Sequence, residues 1–283
     1  MLLKEIKNIF HQELDSLYQM EEVNSFFYLL IEHYLGLQRF VLAMEPQLII
    51  AKEEESPLFE ALSKLKLQVP VQYIIGSTEF MEMELIVNED VLIPRPETEE
   101  LVRWILDDIK DHQSKLKILD IGTGSGCIPI ALAKHLPNAE VYTLDVSEKA
   151  IAVAKQNAVL NKVSIQFMQD SILEIATLDE DFDIIVSNPP YVRELEKVAM
   201  HENVLKHEPA LALFVADDDP LVFYNKITAI AAHNLVKKGS LYFEINQYLG
   251  KETELLLETH NFSDITLRQD VFGNDRMLKG IKN

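Results

Sequence analysis

One stretch of the sequence is laid out for chemistry on a weak nucleophile. Residues Asn188-Pro189-Pro190-Tyr191 directly follow a β-rich run, Phe182 to Ser187. Two consecutive prolines remove two backbone donors and stiffen the loop, leaving carbonyl oxygens free to accept. The side chain of Asn188 adds another carbonyl acceptor. Together they suit an NH2 group held by both of its protons. The lone pair of an amide or aromatic amine is delocalised, so its nitrogen attacks poorly. Gripping both protons while the nitrogen pyramidalises favours the transition state over the planar ground state. An electrophile held in line completes the arrangement, and no dedicated base is required if the proton leaves after the nitrogen becomes cationic. Tyr191 is expected to pack on the planar group or on its alkyl stem.

Upstream, the run Leu119-Asp120-Ile121-Gly122-Thr123-Gly124-Ser125-Gly126-Cys127 sets three glycines after an expected strand and before an expected helix. Glycine there lets the backbone turn sharply and approach a ligand. The dinucleotide fingerprint needs a third small residue where Cys127 stands, and the phosphate-binding loop needs a lysine that is absent. Asp120 beside the glycines would repel a pyrophosphate but suits the amino group or sulfonium environment of a cationic cofactor. The pattern therefore points to S-adenosylmethionine rather than to a nicotinamide dinucleotide. Asp145 ends the next run, placed for both ribose hydroxyls, and Asp170 ends the third, placed for the adenine amino group. The expected cofactor set is Asp120, Gly122, Thr123, Gly124, Ser125, Gly126, Asp145, Asp170 and its neighbour Ser171. The expected substrate and catalytic set is Asn188, Pro189, Pro190 and Tyr191.

These residues need a sheet to hold them. From Lys115 onward, short β-rich runs (KILDIG, VYTLDV, SIQFMQD, FDIIVSN, SLYFEIN) alternate with segments of helical length. That alternation predicts a mostly parallel sheet covered by helices on both faces. The runs ITLRQDVF and RMLKGIK flank Gly273-Asn274-Asp275 and predict a terminal antiparallel hairpin. Phe26, Phe27, Leu29, Leu30, Tyr34 and Leu35 recur at helical spacing in a glycine-poor opening segment, which predicts a small helical domain. Between them, PVQYIIGSTEFMEMELIVNEDVLIPRPE alternates apolar and polar residues as a half-buried β ribbon does. The fold expected is α/β: residues 1–69 a helical domain that recognises the substrate, 70–95 a ribbon linker, and 96–283 the cofactor-dependent domain.

Composition narrows the partners. Lys and Arg total 26 against 46 Asp and Glu, a net charge of −20, which opposes stable contact with a phosphate backbone. Lys4, Glu5 and Lys7 interrupt what would be a leader's apolar core, and no run approaches a membrane span. A single cysteine, Cys127, allows neither an internal disulfide nor a thiolate zinc site, which fits a reducing cytoplasm. His201 and His207 lack paired-ligand spacing and are read as surface or loop residues, so no metal is expected. Glu97 and Glu99, after Pro94-Arg95-Pro96, are read as first-turn helix residues favoured by the helix dipole.

On these residues the chain resembles the class I, Rossmann-like S-adenosylmethionine methyltransferases, and within them the release-factor glutamine methyltransferases (the PrmC or HemK family). The resemblance rests on PVQYIIGSTEF, VLIPRPETEELV, LDIGTGSGCIPIALA, FDIIVSNPPYV and FGNDRMLKGIK. It covers residues 70 to 283, while residues 1–69 match in length and character. It implies transfer of a methyl group from S-adenosylmethionine to the glutamine side-chain amide of the Gly-Gly-Gln loop in peptide-chain release factors. It also implies that the Gly122 to Gly126 turn, Asp145 and Asn188 hold the cofactor while Asn188 to Tyr191 hold the glutamine. Many members carry an aromatic residue where this chain has Ser171, so the adenine contact there departs from the pattern. Two other readings use the same motifs: amino-methylation of a DNA or RNA base, which needs a basic groove, and a non-catalytic cofactor-binding protein.

Overall fold

Apolar residues at helical spacing build the first part of the chain. α1 (Leu3–Leu14) turns Leu3, Ile6, Phe10 and Leu14 inward, and α2 (Met20–Leu35) turns in Val23, Phe26, Phe27, Leu30 and Ile31. A short α3 (Val41–Met44), α4 (Lys52–Lys66) and α5 (Val71–Ile75) complete the run. Their buried residues form one apolar cluster in which Phe10 and Phe27 meet edge to face at 5.5 Å. The computed structural model describes residues 1–283 and divides them into two units, Met1–Gly76 with His201–His207, and Ser77–Met200 with Glu208–Asn283. The alternation that suggests a ribbon from Pro70 instead yields α5, which stops at Gly76 in the left-handed region. The ribbon itself begins at Ser77.

In the second unit, β1 (Ser77–Phe80) and β2 (Met83–Ile86) pair antiparallel, with Phe80 opposite Met83. Met81 and Glu82 between them both have positive φ, 47° and 60°. A two-residue turn of that kind normally carries Asn or Gly. Here Glu99, in the first turn of α6 (Pro96–Asp108), accepts from the Met81 amide at 2.8 Å and holds the turn. Glu99 thus has a specific partner beyond the helix dipole.

The main sheet and its helices follow with β3 (Lys117–Ile121), α7 (Cys127–His135), β4 (Glu140–Asp145), α8 (Glu148–Leu160), β5 (Gln166–Gln169) and β6 (Phe182–Ser187), and then comes β7 (Val192–Arg193), which lies outside that sheet. After α9 (Glu202–His207), which belongs to the helical unit, come α10 (Ala210–Leu213), β8 (Phe214–Val215), α11 (Val222–Asn234), β9 (Leu235–Glu244), α12 (Gly250–Thr259), β10 (Phe262–Gln269) and β11 (Asp275–Lys282). Seven strands lie in the order β10-β11-β9-β6-β3-β4-β5. The five from β9 to β5 are parallel, and β11 is antiparallel to both β9 and β10. Strands buried on both faces alternate between two cores: Ile118, Ile184, Val186 and Tyr242 face one, and Leu119, Ile185, Leu241 and Phe243 face the other. This is the α/β sheet with a terminal antiparallel hairpin that the alternation of runs predicts. No helix is long and apolar enough to cross a membrane.

Candidate functional site

Strand order reverses at β3: the chain moves outward to β4 and β5, then returns to β6 on the other side. Open α/β sheets leave a crevice above the carboxyl ends at such a point. A cavity lies there, lined by the Gly122 to Ser125 turn, Asp145, Asp170 and Ser171, and by Asn188-Pro189-Pro190. The strand ends that the sequence marks as chemical therefore meet at one place.

The turn is built by backbone geometry. Gly122, Gly124 and Gly126 have φ of 84°, 53° and 84°, and the Gly126 amide donates to Thr123 O at 2.8 Å. Asp145 steadies the turn from the next strand: its Oδ2 accepts from Gly124 N at 2.9 Å and its Oδ1 from Ser147 N at 2.8 Å. Each oxygen keeps a lone pair for a ligand hydroxyl. Asp170 Oδ1 accepts from Ser171 N at 2.8 Å, and apolar Ile172 and Val146 share the cavity wall with them.

Asp120 is fully buried and does not line the cavity. Its Oδ2 accepts the hydroxyls of Thr123 and Thr143, each at 3.0 Å, while its Oδ1 has no partner. Burial pushes its pKa up to about 7, against the opposing pull of the two hydroxyls. A buried carboxylate oxygen without a donor suits a cationic group nearby. Asp120, the spare acceptor capacity of Asp145 and the open approach over Gly124, where an added Cβ meets nothing within 4 Å, together fit a cationic nucleoside cofactor.

Asn188 stands at the end of β6 with its Nδ2 donating to Thr98 Oγ1 at 3.2 Å. Thr98 in turn donates to Glu244 Oε2 at 2.6 Å. Tyr191 is not on the cavity wall; its hydroxyl donates to Glu244 Oε1 at 3.0 Å. Glu244, at the end of β9, is buried, and that burial raises its pKa despite the hydroxyls of Thr98 and Tyr191 and the charge of Arg276. Asn246 closes the loop from below by donating to Tyr191 O at 2.9 Å and Glu196 Oε2 at 2.8 Å.

Three supporting groups are invisible to motif reading. Asn157 on α8 is fully buried; it accepts from Ile86 N at 2.6 Å and donates to Ile86 O and Ser125 O, each at 2.9 Å. It thereby ties the ribbon to the glycine turn. Glu208 is buried and accepts from Arg95 Nη2 at 2.6 Å and Ile93 N at 3.2 Å, fastening the loop ahead of α6, whose Arg95 lines the cavity. Glu244 is the third. Burial pushes the thiol of Cys127 up to about 12, which works against forming the nucleophilic thiolate. No cluster of His, Cys, Asp and Glu is arranged to hold a metal ion, and His207 Nε2 lies 3.0 Å from Leu67 O.

Residues 101–212 match the methyltransferase small domain family, and residues 11–76 match the PrmC N-terminal domain family. A release factor glutamine methyltransferase of Flavobacterium psychrophilum is 54% identical over 281 residues, covering 99% of each chain. One of Bacteroides thetaiotaomicron is 40% identical, covering 94% of this chain and 95% of its own. Among solved structures, a T. thermophilus 16S rRNA methyltransferase in complex with AdoMet and guanosine aligns with a TM-score of 0.53. It is 19% identical and covers 73% of this chain and 50% of its own, a likeness of fold alone.

Proposed function

The chain belongs to the release factor glutamine methyltransferase family, and from that premise we propose that it methylates the side-chain amide of the glutamine in the Gly-Gly-Gln loop of peptide-chain release factors, in the cytoplasm, with S-adenosylmethionine as donor. The observation that carries this reading is the meeting of Asn188-Pro189-Pro190 with the Gly122 to Ser125 turn and Asp145 on one cavity. S-adenosylmethionine, when bound, supplies the electrophilic methyl group. Asp145 accepts ribose hydroxyls, Asp120 balances the positive charge from beneath the turn, and Asp170 with Ser171 borders the base. Asn188 Oδ1 and a carbonyl of the proline loop accept the two protons of the glutamine NH2 group. That grip is strongest as the nitrogen becomes pyramidal, so it lowers the barrier more than it tightens substrate binding. Tyr191, tied to Glu244, braces the loop rather than stacking on the amide.

Residues 1–69 serve as the recognition surface for the protein substrate in this reading, supplying binding energy remote from the reacting amide. Removing them should reduce transfer to intact release factor far more than transfer to a short Gly-Gly-Gln peptide; equal losses would make their role purely stabilising. The central experiment is incubation with labelled S-adenosylmethionine and separate pools of release factors and nucleic acids. Label on the glutamine of a release factor is the expected result, with Asn188→Ala abolishing transfer while cofactor affinity changes far less. Label on nucleic acid, or Asn188→Ala transfer within threefold of wild type, would refute the reading.

A further inference from the structure

A carboxamide has two ends of nearly equal size, and packing alone does not choose which one faces a ligand. The proposed chemistry needs the oxygen of Asn188 to face the substrate, because only the oxygen accepts a proton from an NH2 group. Something in the fold must make that choice.

We infer that Thr98 and Glu244 form a positioning relay that sets the polarity of the Asn188 carboxamide, turning its oxygen toward the substrate amide. The inference rests on the proposed amide methylation and deepens it. Glu244 is 1% exposed, and as a carboxylate it can only accept. Its two oxygens are met by two hydroxyls, Thr98 at 2.6 Å and Tyr191 at 3.0 Å. The hydroxyl of Thr98 has one proton, and Glu244 takes it. The Thr98 oxygen is thereby left with lone pairs only, so the group 3.2 Å away on Asn188 must be the donor, Nδ2. A reversed carboxamide would set Oδ1 against those lone pairs beside the buried Thr98. The relay thus converts the charge of a residue at the end of β9 into the orientation of a residue at the end of β6. Neither Thr98 nor Glu244 needs to touch the reacting atoms.

Three otherwise separate motifs acquire one purpose in this relay. Thr98 comes from the Pro96-Glu97-Thr98-Glu99 segment, Asn188 and Tyr191 from the proline loop, and Glu244 from the end of β9. The charged groups acting on Glu244 come from its other neighbours: Arg276 on β11 lowers its proton affinity and Glu97 on α6 raises it. Arg276 is itself held by Asp270 at 3.2 Å.

The test compares Thr98→Val, which keeps the shape and loses the oxygen, with Thr98→Ser, which keeps the hydroxyl. Glu244→Gln reverses the relay, because its amide can donate to Thr98 and free that hydroxyl to donate toward Asn188. Thr98→Val should lower kcat for release-factor methylation by roughly 10–100-fold, by analogy with the loss of a partner that orients a metal ligand. Cofactor affinity by calorimetry should shift less than threefold, and Thr98→Ser should recover most of the rate. Adding Thr98→Val to Glu244→Gln should cost little more than Glu244→Gln alone, since the two act as one unit. A second readout needs no substrate: in nitrogen-edited NMR of the cofactor-free protein, the Asn188 NH2 protons should exchange slowly in wild type and Thr98→Ser, and quickly in Thr98→Val. Folded Thr98→Val with kcat within threefold of wild type would overturn the relay, as would equal losses in the Val and Ser variants or unchanged NH2 exchange. Wild-type protein that labels no release factor, yet shows the NMR pattern, would instead count against the functional reading while supporting the relay.

Discussion

Replacing Gly126 by alanine should unfold the cofactor domain far more readily than the same change at Gly124, although both glycines sit in the same turn with positive φ. At Gly124 an added Cβ meets nothing within 4 Å, so the cost there is that of holding alanine in the left-handed region, about 1–2 kcal/mol. At Gly126 the same backbone cost applies, but the new Cβ falls 2.9 Å from Ile130 Cδ1 and 3.1 Å from Ala154 Cβ. Ile130 and Ala154 are fully buried and have little room to retreat. Overpacking of this kind adds about 1–3 kcal/mol, for a total of about 2–5 kcal/mol against a typical domain stability of about 5–15 kcal/mol. Trp104 is the only tryptophan and lies on α6 in the second unit, so its fluorescence reports that unit alone. Urea titration of cofactor-free protein should move its midpoint strongly for Gly126→Ala and modestly for Gly124→Ala. Gly124→Ala should instead impair cofactor binding, since Gly124 lines the cavity. Equal stability losses within about 0.5 kcal/mol, the usual scatter for surface changes, would refute the packing argument.

Asn157→Leu removes three hydrogen bonds and leaves Ile86 and Ser125 backbone groups unpaired; a loss of about 2–5 kcal/mol is expected from buried unsatisfied groups, and one below about 1 kcal/mol in the same titration would contradict the clamp. Arg95→Met leaves the buried Glu208 carboxylate without its cation and should cost about 3–5 kcal/mol, with part of the loss recovered in the Arg95→Met/Glu208→Leu double variant; no recovery would mean the pair is not the cause. Asp120 has a folded pKa of about 7, above its ordinary 3.8, so its proton is bound more tightly in the folded state and stability falls as pH rises from about 4 to about 7, by at most about 4 kcal/mol. Asp120→Asn should therefore gain on wild type in melting temperature between pH 5 and pH 8 without cofactor, and parallel pH profiles would rule this out.

Local pattern made the main sheet readable, because strands buried on both faces appear as short Val, Ile and Leu runs whatever lies far away in sequence. The glycine turn, Asp145 and the proline loop were readable for a related reason: each sits at the end of its own strand, so finding the strand finds the residue. The supports were not. Asn157 bonds across 71 residues to Ile86, Glu208 across 113 to Arg95, and Glu244 across 146 to Thr98. On its own helix Asn157 looks like any polar residue, and only the folded arrangement shows what it meets. Asp120 and Tyr191 show the same limit from the other side, since a strand-end acid and a loop aromatic can each serve from behind the cavity wall. The segment Val71–Ile75 illustrates a local conflict: Val and Ile favour strands, yet the sequence between Pro70 and Gly76 forms one helical turn whose Val71 and Ile74 are buried. The turn at Met81-Glu82 lacks Asn and Gly, and the partner that stabilises it, Glu99, is on a different element.

The helical unit has a bearing on synthesis order. Most of its residues are translated before the second unit, but α9 is encoded far downstream, and Lys206 and His207 meet Gln68 and Leu67 across 138 and 140 residues. Domains tend to fold as units while the chain emerges, and this one lacks a helix until residue 207 is made. By then β1 through β7 have already been translated, whereas β9 and the terminal hairpin have not. The helical unit is thus finished only after much of the second unit has been made. Its closure has to wait on a contact of long sequence separation, the kind that slows folding most. During that interval the docking site for α9 is available to whatever else the nascent chain encounters.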